Sequence, residues 1–306
     1  MIGGLCGLAF GMGEGDIDGC LARFSKGVTG LSVASMFASG KQSSTLRTIS
    51  RPTYLRSAVS NGSILSRRAL DFVFPPRCPV TQSPVAVDGD MSAEGWRQLI
   101  FIDDPVCARC GMPFVSDFGV GVDCPLCLVE PPDFDSARAA VLYNDAAHDL
   151  IVAFKYSDRT DLAGVFTKWM ARAGAGLISE RSVLMPVPLH PRRLFSRRYN
   201  QSALLAKRLA GQFGADLRLD DLYRHRATVP QQSLSTIGRR RNVAGAFTVR
   251  PERITRLKGA HIVLIDDVLT TGATLSAISK TLKRCGAARV DALAVARVVK
   301  HGVATI

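Results

Sequence analysis

Two neighbouring carboxylates, followed by a turn rich in hydroxyl groups, are the residues of this chain best suited to chemistry. Asp266 and Asp267 come directly after the apolar run 262–265. That run predicts a strand buried on both faces of a parallel sheet. The carboxylates then lie at the C-terminal edge of the sheet, where open α/β sheets bind their ligands. The turn that follows consists of Thr270, Thr271, Gly272, Ala273 and Thr274.

The turn is expected to open a helix, because Leu275, Ile278 and Leu282 recur at steps of three and four residues. Helix N-termini bind anions through unpaired N–H groups and the positive end of the dipole. The two carboxylates can accept hydrogen bonds from neighbouring hydroxyls, as on a ribose, and can help to hold a divalent cation. A lone Asp-Asp pair would more often be a solvated loop beside a capped helix. The order of all thirteen positions, 262–274, favours a sugar-phosphate site instead.

These residues resemble the signature loop of the phosphoribosyltransferase family, which has two acidic residues and a T-T-G-x-T turn. The two aspartates and residues 270–274 match it position for position. The resemblance implies that the loop binds phosphoribosyl pyrophosphate. It also implies that Asp266 and Asp267 hold the ribose hydroxyls and stabilise positive character near the anomeric carbon, and that residues 270–274 hold the 5-phosphate.

A second anion site is expected, because departing pyrophosphate carries charge that cations and donors must meet. The best candidate is the segment 186–201, which follows an apolar stretch and contains four arginines. Its candidate ligands are His190, Arg192 and Arg193, with Mg2+ on the pyrophosphate. The alternative is a solvated basic loop.

The formal net charge of +13 is compatible with two kinds of partner. Clustered arginines can form a basic rim around a pyrophosphate cleft, or a track for single-stranded nucleic acid. Strong single-strand binding usually adds stacking aromatic residues, and only Phe195 and Tyr199 lie within the main cluster. The composition leaves both alternatives open.

Four of the eight cysteines have the spacing C-x2-C-x13-C-x2-C. Two such knuckles can present four thiolates to one tetrahedral zinc ion, and a site without histidine or carboxylate ligands is expected to be closed and structural. Disulfides are the alternative, but nothing in the sequence indicates an oxidising compartment. The predicted ligands are Cys107, Cys110, Cys124 and Cys127.

From residue 138 onward the pattern alternates between strands and helices, which predicts a largely parallel α/β sheet. Strands are predicted at 139–143, 183–189 and 290–299, and helices with buried faces at 150–154, 162–170 and 200–213. The segment 231–247 is rich in polar and turn residues. It can be a mobile cover over the cleft or an ordinary surface excursion.

Taken together, four segments make the chain resemble the ComF family over residues 64–299. They are the CxxC ribbon, P-V-P-L-H-P-R-R with R-R-Y-N-Q, Q-x2-L with R-R-N-V-x-G-A-F, and V-L-I-D-D-V-L-T-T-G-A-T. The resemblance implies a type I phosphoribosyltransferase fold with an N-terminal zinc ribbon, and an association in some members with DNA uptake during natural competence. The chain departs from the family at Cys78-Pro-Val-Thr81, a knuckle whose second ligand has become threonine. We therefore expect one zinc ion rather than two.

Three regions are expected along the chain. Residues 1–63 are predicted to be disordered, or to precede the true start, because positions 19–70 hold eight Lys or Arg, eleven Ser and no acidic residue. A mitochondrial-type transit peptide has the same bias. A short helix is predicted at 64–74. Residues 64–132 should form a partly degenerate double zinc ribbon, and 133–306 the phosphoribosyltransferase-like domain.

No segment approaches eighteen uninterrupted apolar residues, so we expect a cytoplasmic protein without a membrane span. The first functional hypothesis is an enzyme that transfers the phosphoribosyl group to an unknown acceptor. The second is a single-stranded-DNA-binding protein whose phosphoribosyl pyrophosphate site is sensory or non-catalytic. Docking of competence-machinery proteins on the ribbon is compatible with either hypothesis.

Overall fold

The structure, a computed structural model, describes residues 75–87, 89–157, 159–197, 199–226 and 236–299. The extension predicted at 1–63 and the helix predicted at 64–74 lie outside these ranges. Within them, no helix is long and apolar enough to cross a membrane.

Helices and strands alternate after the cysteine-rich N-terminal part. The helices are α1 Ala93–Gln98, α2 Pro125–Val129, α3 Asp145–Tyr156, α4 Leu162–Ala173, α5 Pro191–Arg197, α6 Gln201–Phe213, α7 Thr236–Val243 and α8 Ala273–Arg284, with a 3-10 helix at Pro251–Leu257. The strands are β1 Ser136–Leu142, β2 Val183–Pro186, β3 Asp216–Leu217, β4 Leu222–Arg224, β5 Phe247–Val249, β6 His261–Leu269 and β7 Arg289–Arg297.

Five of these strands form one parallel sheet in the order β1-β7-β6-β2-β3. The acid-bearing strand β6 lies at its centre, with β7 on one side and β2 on the other. The short strands β4 and β5 pair antiparallel in a separate two-stranded sheet. The predicted α/β class with a parallel sheet flanked by helices is confirmed.

Strand β6 is buried on both faces, as its apolar run predicts. Ile262 and Leu264 pack in one core cluster with Leu275 and Ile278 of α8. The alternate residues of β6 pack in the opposite cluster, together with buried residues of α3, α4 and α6. Alternation of this kind fixes the register of a strand, because a slip of one residue would exchange its two faces. The carboxylates at the end of β6 are therefore held at one position in the sheet.

Several predicted boundaries were wrong. The strand predicted at 183–189 ends at Pro186, and proline cannot donate to a sheet ladder. The strand predicted at 139–143 begins at Ser136, where Ser136 and Arg138 bond the Ala108 carbonyl in the cysteine-rich region. The strand predicted at 290–299 spans Arg289–Arg297. The carboxylates expected just after a strand lie within β6, because β7 pairs with it as far as Leu269.

The segment predicted as a cover or a surface excursion is partly built into the fold. Its described part contains α7 and the start of β5, and Val243, Ala246 and Phe247 are buried. Residues 231–235 lie outside the described ranges. The mobility of a cover stays a prediction.

Candidate functional site

Asp266 and Asp267 lie near the C-terminal end of β6, each with fixed partners. Oδ1 of Asp266 accepts hydrogen bonds from the Asp267 N–H at 2.9 Å and from the Ser202 hydroxyl at 3.4 Å. Oδ1 of Asp267 lies 2.9 Å from Nζ of Lys155. The Lys155 and Asp267 side chains are only 17% and 14% exposed, so solvent screens this ion pair less than a surface pair. The two carboxylates therefore occupy defined and different environments.

Burial changes the ionisation of the first carboxylate. Burial, together with repulsion from Asp267, raises the pKa of Asp266 to about 7. The N–H of Asp267, the charge of Lys155 and the hydroxyl of Ser202 oppose this rise. A carboxyl group of this kind can gain or lose a proton near neutral pH.

The turn between β6 and α8 carries backbone N–H groups to the end of the acid-bearing strand. Gly272 precedes α8 with a φ of 75°, a left-handed conformation that favours glycine. A Cβ atom at Gly272 would lie 3.2 Å from the ring of Phe134, so the turn is also closely packed. The Thr271 hydroxyl accepts a hydrogen bond from the Ala273 N–H at 3.4 Å. Because the first N–H groups of a helix lack acceptors within it, this end is suited to a phosphate.

The second predicted anion segment leaves the sheet at the neighbouring strand end. Pro186 of β2 pairs with Ile265 of β6, and the Val187 N–H donates to the Ile265 carbonyl at 2.9 Å. Arg192, Arg193 and Arg197 lie on the short helix α5. Nδ1 of His190 accepts a hydrogen bond from the Arg192 N–H at 3.3 Å, and the Arg192 side chain is exposed. His190 is thus engaged within its own segment, while Arg192 faces solvent.

Arg193 is linked electrostatically to the acid pair through Arg224 of β4. Arg224 is 7% exposed. Burial and the positive charge of Arg193 lower the pKa of Arg224 to about 10, and the charge of Asp266 opposes this effect. Arg193 and Asp266 thus both act on the buried Arg224. We call the region of these residues, at the C-terminal ends of β2 and β6, the cleft.

The N-terminus of α6 joins the parts of this cleft. The Asn200 amide donates to the Val187 carbonyl at 3.1 Å, and its oxygen accepts from the Ser202 N–H at 3.1 Å. Gln201, which is 1% exposed, donates to the Lys155 carbonyl at 3.2 Å. These contacts position Ser202 and Lys155 against the carboxylates.

Sequence reasoning missed three residues of the cleft: Lys155, Ser202 and Arg224. Ser202 directly follows the R-R-Y-N-Q segment, and this proximity was a usable signal. Lys155 lies in the last turn of α3, a helix whose sequence pattern is set by its apolar residues, and Arg224 lies on a three-residue strand. Neither has a local pattern that predicts its contacts, because those contacts are made across the fold.

The four predicted zinc ligands come together. Their sulfur atoms all lie within 4.8 Å of one another, and all four cysteines are buried. Cys110 and Cys124 sulfurs are 3.7 Å apart, close to the roughly 3.8 Å expected between sulfurs about 2.3 Å from one tetrahedral zinc ion. The N–H groups of Cys110 and Cys124 donate to Cys107 Sγ at 3.4 Å and 3.2 Å. The residues fit a closed structural zinc site.

Comparison with known proteins gives the same two parts. Residues 69–128 match the double zinc ribbon domain family. Residues 200–302 match the phosphoribosyl transferase domain family.

The chain is also similar to whole proteins. It is 31% identical to DNA utilization protein YhgH of Salmonella typhimurium over 228 residues, which cover 71% of this chain and 95% of that protein. The chain belongs to the ComF family. It is 33% identical to YhgH of Escherichia coli O157:H7 over 62% of this chain and 82% of that protein. It is 28% identical to competence protein F of Haemophilus influenzae over 63% of this chain and 85% of that protein.

In this ComF-family chain the first half of the double ribbon repeats the geometry of the zinc-binding half. The Cys78 N–H donates to the Ser83 carbonyl, as the Cys107 N–H donates to the Met112 carbonyl. The bridge Arg77↔Pro84 matches the bridge Val106↔Pro113. Gln82 and Gly111 both have positive φ, at 60° and 69°. Ser92 caps α1 as Cys124 caps α2.

This correspondence shows which residues stand where the other three ligands would be. They are Thr81, Ser92 and Gly95, equivalent to Cys110, Cys124 and Cys127. The Ser92 hydroxyl donates to Cys78 Sγ at 3.3 Å and lies 2.9 Å from the Thr81 hydroxyl. Although burial alone would raise it, hydrogen bonds from Ser92 and Thr81 lower the pKa of the Cys78 thiol to about 6. One thiol, two hydroxyls and a glycine do not fit a structural zinc ion.

A cavity of about 740 Å3 lies between the ribbon and the turn. Its walls include Leu126 and Val129 of α2, residues 270–273 of the turn, and Lys280 and Arg284 of α8. Asp266 and Asp267 do not line it. The cavity thus adjoins the turn on the ribbon side.

Proposed function

We propose that this protein binds phosphoribosyl pyrophosphate with Mg2+ and transfers the phosphoribosyl group to an acceptor. The observation that carries the proposal is the pair Asp266 and Asp267 at the end of β6, directly followed by the helix-opening turn 270–274. The match to the phosphoribosyl transferase domain family supports the same reading. The limits 64–132 for the ribbon and 133–306 for the transferase-like domain are part of the proposal.

Each part of the cleft has a role in this reaction. The N–H groups and hydroxyls of 270–274 hold the 5-phosphate, and the carboxylates accept hydrogen bonds from the ribose hydroxyls. His190, Arg192 and Arg193 bind the pyrophosphate as its charge grows. Mg2+ supplies further charge compensation on the pyrophosphate, and the carboxylates are the oxygen ligands it prefers. Lys155 fixes the orientation of Asp267.

The acceptor and the cellular location complete the proposal. The cavity beside the turn has the volume of a small-molecule site and is lined by both apolar and polar groups, so it supports an acceptor of that size. A cytoplasmic location is supported by the four-thiolate cluster, because a reducing compartment keeps such cysteines available to zinc.

Titration calorimetry with phosphoribosyl pyrophosphate and Mg2+ tests the proposal, followed by a pyrophosphate-release assay across candidate acceptors. Asp266→Asn with Asp267→Asn is expected to abolish binding without unfolding the protein. Asp220→Asn, which changes an exposed carboxylate, is the matched control. Normal binding by the double variant would refute the assignment of the cleft.

A second candidate function is single-stranded DNA binding, with a phosphoribosyl pyrophosphate site that is sensory or non-catalytic. Relatives are named DNA utilization protein and competence protein F. The chain's net charge is +13, and Phe195 is 91% exposed on the same helix as Arg192. An exposed aromatic ring beside arginines suits a stacked base, and competence-machinery proteins would then be partners. Binding of phosphoribosyl pyrophosphate without pyrophosphate release would favour this second function.

A further inference from the structure

A buried arginine joins the cysteine cluster to the sheet. Arg297, the last residue of β7, is 5% exposed. Its guanidinium donates one hydrogen bond to the Cys110 carbonyl and another to Cys110 Sγ at 3.3 Å. Its Nε is buried without a hydrogen-bond partner among the described residues. The sulfur cluster is therefore the main source of compensation for this buried cation.

Arg297 also lies beside the start of the turn. In the sheet register Arg297 pairs with Leu269, and the next N–H, that of Val298, donates to the Leu269 carbonyl at 2.9 Å. Leu269 is the residue directly before Thr270. A shift of Arg297 would thus be passed to the turn through one ladder hydrogen bond.

The segment that follows the ribbon contacts the turn from the other side. The ring of Phe134, 2% exposed, lies against Gly272. The Asp133 N–H donates to the Ser276 hydroxyl at 2.9 Å, and that hydroxyl donates to Asp133 Oδ2 at 2.7 Å. Ser276 is in the first turn of α8. The turn is consequently held between Arg297 and residues 133–134, both tied to the ribbon.

We infer that the zinc cluster holds the phosphate-binding turn in place, with Arg297 as the positioning residue. One zinc ion and four thiolates carry a net charge of about −2, which attracts the buried guanidinium and offsets its positive charge. Without zinc the four sulfurs are no longer drawn together, and the carbonyl and sulfur of Cys110 that accept hydrogen bonds from Arg297 lose their fixed position. Outer-shell hydrogen bonds to metal ligands also orient those ligands and strengthen metal binding. The consequence for phosphoribosyl pyrophosphate rests on the proposed function, whereas the consequence for the order of the turn does not.

The test compares the full-length wild type, the wild type stripped of zinc, and the variants Arg297→Met and Arg297→Lys. Arg138→Met is the matched control, because Arg138 lies on β1 and also bonds ribbon carbonyls, those of Cys107 and Ala108, whereas its hydrogen bonds among the described residues include none to a sulfur. Three quantities are measured: zinc release to a chromogenic chelator, amide hydrogen exchange at 276–280 and Val298, and affinity for phosphoribosyl pyrophosphate with Mg2+.

Arg297→Met is expected to release zinc about tenfold faster, to exchange faster at these amides and to bind the ligand about tenfold more weakly. Removal of zinc from the wild type should accelerate amide exchange to the same extent. Arg297→Lys should accelerate it less, and Arg138→Met should leave amide exchange at the turn unchanged. If Arg297→Met does not fold, the lysine variant and the stripped wild type still decide the outcome. If amide exchange at 276–280 and Val298 in both of these samples equals that of the zinc-loaded wild type, the inference is overturned. Absence of ligand binding by the wild type would instead count against the proposed function alone.

Discussion

At the scale of single residues, the carboxyl group of Asp266 gives the fold a dependence on pH. Its pKa in the folded protein is about 7, whereas an unfolded aspartate has a pKa of about 4. The folded state therefore favours the protonated form. The stabilisation from this group is complete below about pH 4 and is lost as the pH rises through about 7. Asp267, Lys155 and Arg224 are the charged groups that share its environment.

Asp266→Asn is expected to stabilise the protein at pH 8 by on the order of 4 kcal/mol and to change little at pH 4. The amide keeps the size of the side chain but removes the buried charge. Urea unfolding at the two pH values measures the effect, with Asp220→Asn as the exposed control. Equal changes at both pH values would show that ionisation of Asp266 is not the cause.

Gly272→Ala is expected to destabilise the protein more than Gly245→Ala. Both glycines have positive φ, at 75° and 64°, but a Cβ atom would clash with Phe134 only at position 272. We expect each substitution to lower the free energy of unfolding by about 1 kcal/mol, because alanine is strained at positive φ. Gly272→Ala should lower it by about 1–2 kcal/mol more, because the added methyl group overpacks against Phe134. Urea unfolding checks the difference. Adding Phe134→Leu should restore part of the loss, and no restoration would mean that the ring is not the obstacle.

At the scale of elements, the ribbon consists of two similar halves held together differently. One half converges on a four-cysteine cluster. The other converges on Cys78, whose sulfur accepts hydrogen bonds from the Ser92 hydroxyl and the Thr81 N–H, while the Ser92 and Thr81 hydroxyls bond each other. Hydrogen bonds thus occupy the place that a metal ion would take in a double ribbon.

Thr81→Cys with Ser92→Cys and Gly95→Cys is expected to raise the zinc content from one to two per chain. The three positions already surround Cys78 Sγ, although a Cβ atom at Gly95 would lie 2.8 Å from it, so the Cys78 side chain must rotate. Elemental analysis of the purified protein measures the count. Cys110→Ser in the wild type is the control and should lose the single zinc and unfold the ribbon while sparing much of the sheet. A wild type with two zinc ions, or a triple variant with one, would contradict the correspondence.

Elements with strong local patterns could be predicted from the sequence. The faces of α3, α4 and α6, the strand β6 and the zinc knuckles all follow from periodicity or spacing of nearby residues. The equivalence of Ser92 and Gly95 to zinc ligands could not be seen, because neither residue type suggests a metal. Arg297 looked like part of an apolar strand, since the sulfur it contacts is distant in sequence. Predictable features are local in origin, and the missed ones depend on long-range contacts.

At the scale of the whole molecule, the positive charge distinguishes the two candidate functions. If Arg192 and Arg193 contact a nucleic-acid backbone, affinity for single-stranded DNA should fall with salt by roughly 0.7 in log-log slope per phosphate neutralised. If they serve the pyrophosphate, DNA affinity should not depend on them. Their segment leaves the sheet beside the carboxylates, which favours the pyrophosphate role.

Arg192→Ala with Arg193→Ala is therefore expected to weaken phosphoribosyl pyrophosphate binding and to leave any DNA affinity unchanged. Calorimetry measures the first quantity, and fluorescence titration of a labelled single strand at several salt concentrations measures the second. Arg181→Ala, which changes an exposed arginine just before β2, is the control. The opposite result would assign the two arginines to nucleic-acid binding. In that case phosphoribosyl pyrophosphate affinity would be unchanged, and the log-log slope of DNA affinity against salt would be smaller by about one or two units.

The contact between Cys110 and Arg297 also has a consequence for synthesis of the protein, because it spans 187 residues. The four knuckle cysteines leave the ribosome within a short stretch, so the nascent ribbon can capture its metal early. At roughly 5–20 residues per second, Arg297 follows about 10 to 40 s later. During that interval the ribbon must retain zinc without the guanidinium, and for most of it residues 270–274 of the turn have not been synthesised. Metal loading therefore precedes assembly of the cleft, and a chain that stops before β7 would carry the metal and the turn but lack the Arg297 contact that links them.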